Sequence, residues 1–139
     1  MYYLFVYGLM RSCNQSYQAK KVKSFTDLII RATLPKYSLF INLNGLVPTI
    51  YNTNDSDDYV DGELYCCFDI IMFDSLIKQL DAYVGDKFKK TSIIINNGQS
   101  DVNAFTYIST DLDDFNYCEY HDYYDYLKKE HNLVLQNQK

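Results

Sequence analysis

YYLFVYGLMR, residues 2–11, opens the chain. Residues 2–7 form an unbroken apolar and aromatic run that stops at Gly8. Such a run fits a strand buried on both faces. A glycine directly behind it lets the backbone come close to another group. Successive free N–H groups in a loop of this kind can hold an anion or a carboxylate. An ordinary turn glycine is the plainer account of Gly8.

Working outward, residues 8–16 read as a loop and 17–23 as a short helix or loop. Residues 25–42 carry two strands broken near Pro35. Asn44-Gly45 and Pro48 signal turns, and residues 52–58 (NTNDSDD) form a polar loop. Residues 60–70 read as a strand. Period two places Val60, Gly62 and Leu64 on one face and Asp61, Glu63 and Tyr65 on the other. Leu76, Ile77, Leu80, Tyr83 and Val84 then share one helical face over residues 73–84. Asp69 or Asp74 suits its N-cap and Gly85 its stop. Strands over residues 89–96 and 102–109 flank a hairpin loop. A helix over residues 122–130 ends the pattern.

Many strands around one clear helix, without regular alternation, predict an α+β domain on a mixed sheet curled into a small β-barrel with flanking helices. The length of 139 residues fits a single domain, 1–139. Residues 111–139 form an acidic, aromatic C-terminal arm that packs its rings on the barrel and leaves its charges in water.

Composition narrows the function classes. The net charge of −5 speaks against binding a phosphate backbone, so no nucleic-acid partner is expected. No apolar stretch approaches membrane-spanning length, and the N-terminal residues lack signal-peptide character. A cytoplasmic protein without membrane association is the expectation. The 15 tyrosines suit a concave site or an interface as well as a core. Cys13, Cys66, Cys67 and Cys118 form no CxxC pair and show no zinc spacing with His121 and His131. Free thiols and no metal site are expected. Phosphate-loop, dinucleotide, nucleophile-elbow and zinc-protease signatures are missing.

Taken in order, five pieces resemble the gamma-glutamylcyclotransferase-like (AIG2-like) superfamily. They are Phe5-Val6-Tyr7-Gly8-Leu9-Met10-Arg11, Gly45-Leu46-Val47-Pro48-Thr49, Val60-Asp61-Gly62-Glu63-Leu64-Tyr65, Leu80-Asp81-Ala82-Tyr83-Val84-Gly85 with Phe88-Lys89-Lys90, and Ala104 to Tyr107. The resemblance implies a cavity at one end of the barrel. The glycine loop there would grip a substrate's amino-acid end through backbone groups. A glutamate would move protons while the substrate's α-amine attacks its γ-carbonyl, releasing 5-oxoproline and an amine, with no cofactor. On the same resemblance Tyr7, Gly8, Leu9, Met10, Arg11, Val84 and Phe88 would contact a ligand.

The departures cluster at that site. Val84 stands in the glutamate position, Leu9 replaces a hydroxyl residue of the loop, and Phe88 and Lys90 replace Tyr and Arg. Three readings stay open: a non-catalytic protein binding a small, γ-glutamyl-like molecule in the old cavity; a cyclotransferase whose carboxylate has moved to Glu63, Asp81 or, less directly, Glu119 or another carboxylate of the tail; and a protein-binding module using the acidic tail. Oligomeric state is not legible.

Overall fold

A computed structural model describes residues 1–42 and 47–130. Asn44 and Gly45, where a turn is expected, lie outside them. β1 (Tyr2–Val6) is the apolar run of the opening stretch. α1 (Tyr17–Ser24) follows, its N-terminus closed by Ser16, which accepts from the Ala19 N–H. β2 (Leu28–Pro35) and β3 (Tyr37–Asn42) are the two strands separated at Lys36. β4 (Pro48–Asn52) begins at the proline that reads as a turn. β5 (Tyr59–Cys67) leads to α2 (Ile70–Val84). β6 (Phe88–Asn96), β7 (Asp101–Ser109), β8 (Phe115–Cys118) and α3 (Tyr123–Glu130) complete the described chain.

β1 sits at the centre of a five-stranded sheet ordered β2-β5-β1-β7-β6. It runs antiparallel to β5 and parallel to β7, so the sheet is mixed. A second sheet, β4-β3-β8, is antiparallel throughout. Side-chain alternation divides the core. Leu4 and Val6 join Tyr65, Cys67 and the helical residues Phe73, Leu76, Ile77 and Leu80 on one face of the large sheet. Phe5 and Tyr7 join Leu64, Cys66, the inner residues of the small sheet and α3 on the other. Cys66 and Cys67 thus point to opposite faces, as their adjacency in a strand requires, and all four cysteines are free.

The α+β class and the mixed sheet agree with the expectation; closure into a barrel does not. Among the described residues β2 pairs only with β5, and β6 only with β7. A gap of about 340 Å³ lined by Arg31, Thr33, Asp61 and Asn96 lies between β2 and β6. At this edge Thr33 Oγ1 of β2 donates to Asp61 Oδ1 of its paired strand β5 at 2.8 Å.

Two contacts fix how the central strands pack. A Cβ added at Gly62 would stand 2.6 Å from the Val6 carbonyl oxygen and 2.8 Å from the Phe5 ring. Only glycine fits where β5 crosses β1. α2 starts at Asp69, whose Oδ1 accepts from the Ile71 N–H at 2.8 Å, and ends at Gly85, whose N–H donates to the Asp81 carbonyl. Asp69, not Asp74, is therefore the cap, and the helix begins one turn earlier than the apolar stripe suggests.

The tail is more integrated than an arm. β8 adds a strand to the small sheet, and Tyr123, Tyr124 and Leu127 of α3 are buried. Asp122 is buried too, in an ion pair described below, so this charge does not rest in water. No helix among the described residues is long and apolar enough to cross a membrane.

Candidate functional site

A cavity of about 630 Å³ opens where β1 runs into its glycine loop. The end of α2, the start of β6 and the segment after β7 form its other walls. Tyr7, Gly8, Leu9, Met10, Val84 and Phe88, all expected at a ligand site, border it. Gly8 fits because Pro48 lies against it: an added Cβ would stand 3.0 Å from Pro48 Cγ. The glycine and the proline, 40 positions apart, therefore make one wall.

The loop is held by its carbonyl groups. The Gly8 carbonyl accepts from the Arg11 N–H at 3.2 Å. The Leu9 carbonyl accepts from Asn14 Nδ2 at 2.7 Å and from the Tyr124 hydroxyl at 3.3 Å. The Met10 carbonyl accepts from the Tyr65 hydroxyl at 2.5 Å. Burial pushes the Tyr65 and Tyr124 phenols well above their ordinary range, so they stay neutral donors. The amides of Leu9 and Met10 donate to no group among the described residues. With the carbonyls held by protein donors, the loop can offer N–H groups to a carboxylate.

Arg11 does not border the cavity. It is buried, its Nη1 2.8 Å from Asp122 Oδ1 and its guanidinium 5.3 Å from the Tyr124 ring centre. Burial works against its charge, and Asp122 more than offsets that, so it is held firmly charged. Its part is to tie the loop to the segment before α3, a role that sequence proximity could not reveal because the partners are 111 positions apart.

The candidate carboxylates separate cleanly. Glu63 lies away from the cavity with both oxygens engaged: Oε1 accepts from the Ser12 N–H at 2.7 Å and Oε2 from the Ser12 hydroxyl. It does share a face with Tyr65, and it anchors the loop from below. Asp81 reaches the cavity indirectly: Tyr107, which borders it, donates its hydroxyl to Asp81 Oδ1 at 2.5 Å. Burial first, and Asp81 second, push the Tyr107 phenol far up. Glu119 is exposed and does not border the cavity. The carboxylates that do border it are Asp111 and Asp114, on the connection between β7 and β8, with Lys87 beside that connection, its carbonyl accepting from the Thr110 N–H. Neither aspartate was marked by a motif; the acidic composition of residues 111–114 was their only signal.

The wall formed by Val84, Leu80 and Phe88 is apolar. Val84 stands at the last position of α2, partly buried against the helix-side core. The Val84 side chain itself can neither donate nor accept a proton, although the phenols of Tyr83 and Tyr107 border the same cavity.

The family model for gamma-glutamyl cyclotransferase, AIG2-like proteins matches residues 4–128. The chain belongs to this family. Comparison by sequence with curated proteins finds no match. Among solved structures, YkqA from Bacillus subtilis superposes with a TM-score of 0.69 at 19% identity over 96% of this chain. That match spans 43% of the YkqA chain, so this chain is well under half of that protein's length. The uncharacterized protein PH0828 from Pyrococcus horikoshii gives 0.65 at 13% identity, over 96% of this chain and 99% of its own. A mouse AIG2-like protein gives 0.58 at 17% identity, over 79% and 78%. At these identities the likeness is one of fold.

Proposed function

We propose that this protein binds a small molecule in the cavity beside its glycine loop and does not cyclise it by the family's route. The observation that carries this is Val84: the wall where the resemblance places a proton-transferring glutamate is built from Val84, Leu80 and Phe88. Cyclisation needs a group to take a proton from the attacking α-amine and to return one to the leaving amine. General acid–base catalysis of this kind contributes about 10²- to 10⁴-fold. The glycine loop keeps its backbone amides while the shuttle position holds a valine, and a largely apolar cavity with a few directed polar groups suits ligand capture.

Mass spectrometry of small molecules released on denaturing the purified protein tests this. A defined compound should appear from the unaltered protein and be absent from Val84→Arg, whose longer, charged side chain would project into the cavity. The same recovery from both proteins, or from neither, would remove the support for a binding role.

One observation favours a second reading, an active cyclotransferase with a displaced carboxylate. Tyr107 meets the cavity and is hydrogen-bonded to Asp81, and a phenol–carboxylate pair can relay a proton. Glu63 offers no such route, since Ser12 occupies both of its oxygens. Turnover by the unaltered chain that Asp81→Asn abolishes would favour this reading.

A further inference from the structure

Three aromatic rings lie outside the core and share one face of the small sheet. Phe40 of β3, Tyr51 of β4 and Tyr117 of β8 belong to neither core cluster. Strand alternation explains this. Leu39 and Ile41 point inward with Ile50 and Cys118, so Phe40 between them points outward. Phe40 pairs directly with Tyr117, and Tyr51 pairs with Ser38, two residues along β3 on the same outer face. Both tyrosines stand nearly at right angles to Phe40. The Tyr51 ring centre is 6.2 Å away with 83° between the planes, and that of Tyr117 is 5.8 Å away with 76°. Edge-to-face contacts of this kind hold rings in a set orientation. Tyr51 is 51% exposed and Tyr117 61%, so ring surface stays open to an incoming group.

The three strands (YSLFIN, PTIYN and FNYC) carry no charged side chain. Glu119 follows β8 directly, exposed and in no ion pair among the described residues. Asp113 and Asp114 precede the same strand, and Lys36 precedes β3. Carboxylates therefore outnumber the cation around these rings, on a chain of net charge −5. Aromatic faces attract cations through their quadrupole. A guanidinium, flat and weakly hydrated, stacks on them better than an ammonium does. Small-molecule sites are concave, and none of the three rings lines the cavity or the seam gap. An open face with tyrosines at its centre instead matches the part of a protein interface that receives arginine.

We propose that the outer face of the small sheet docks a basic segment of a partner protein, with an arginine lying over Phe40 and Tyr117 and its charge toward Glu119. The site is separate from the cavity and independent of the ligand-binding reading. It also gives the acidic, aromatic tail a use: α3 buries Tyr123 and Tyr124, while β8 turns Tyr117 outward.

Amide NMR titration of the full chain at about 0.15 M salt tests it with three matched peptides. One carries arginines between glycines; the others carry lysine or neutral citrulline in their place. The arginine peptide should bind about threefold tighter than the lysine peptide and shift amides of β3, β4 and β8. The citrulline peptide should not bind. Tyr51→Leu/Tyr117→Leu keeps apolar cover on the sheet and removes the ring faces; it should weaken the arginine peptide about tenfold. Glu119→Gln, at an exposed position outside the strands, should weaken it about threefold. No binding by the arginine peptide, equal binding by lysine or citrulline, or affinity unchanged in both variants overturns the proposal. Shifts gathered at the glycine loop instead of the small sheet overturn it as well.

Discussion

Val84 carries more of the functional argument than any other residue, yet its own environment is plain. It continues the stripe of Phe73, Leu76, Ile77 and Leu80 and then meets the cavity. Its neighbours keep the helix end in place, so a carboxyl introduced by Val84→Glu would project toward the same space. Apolar surroundings would raise its pKa above the usual glutamate value, which suits a proton shuttle near neutral pH. Val84→Glu should release 5-oxoproline from γ-glutamyl substrates at least about 10²-fold faster than the unaltered chain, read by chromatography of the product. No gain would mean that the loop no longer receives a γ-glutamyl group. Gly62 makes a different residue-scale point. Gly62→Ala would force its methyl group onto the Val6 carbonyl and the Phe5 ring and should cost about 1–3 kcal/mol, measured by urea unfolding.

At the scale of elements, the glycine loop depends on groups far away in sequence. Tyr65 of β5 and Tyr124 of α3 hold its carbonyls, and Asp122 holds Arg11. Removing one partner of a buried pair strands the other charge. Asp122→Ala should therefore destabilise the fold by about 3 kcal/mol, with the loss of the Tyr124 N–H partner adding to it. Thermal unfolding monitored by circular dichroism would show it; an unchanged midpoint would mean the pair contributes nothing. This is also where sequence reading reached its limit. β1, β5, β6 and β7 were legible because apolar runs and alternation signal buried strands. β4 was hidden by Pro48, which reads as a turn but is tolerated as the first residue of a strand. β8 was hidden inside an acidic, aromatic stretch whose short FNYC segment has no alternation to detect. Arg11 was legible as a site residue only through its neighbours, and its true partner lay beyond any local pattern.

At the scale of the whole molecule, the two sheets and three helices of the described residues bury five of the fifteen tyrosines. Burial raises the phenols of Tyr7, Tyr65, Tyr107, Tyr123 and Tyr124 well above their ordinary range near 10. The folded state thus keeps protons that the unfolded chain gives up. Stability from these groups is complete below about pH 10 and declines as pH rises through and beyond it. Tyrosinate absorbance and loss of circular dichroism should therefore rise together in an alkaline titration, in one cooperative step. Ionisation of these buried phenols ahead of unfolding would contradict that. The overall class was legible because strands outnumber helices and do not alternate with them. The open seam between β2 and β6 was not, since barrel closure depends on polar edge residues meeting across space.

On the function proposed above, this chain keeps the family scaffold and lacks the family's proton transfer because Val84 occupies that position. The direct measurement is 5-oxoproline release by the unaltered protein, incubated with γ-glutamyl amines, γ-glutamyl amino acids and glutathione. The account predicts no release above that of Val84→Arg. Steady turnover, abolished by Asp81→Asn or by filling the cavity, would contradict it.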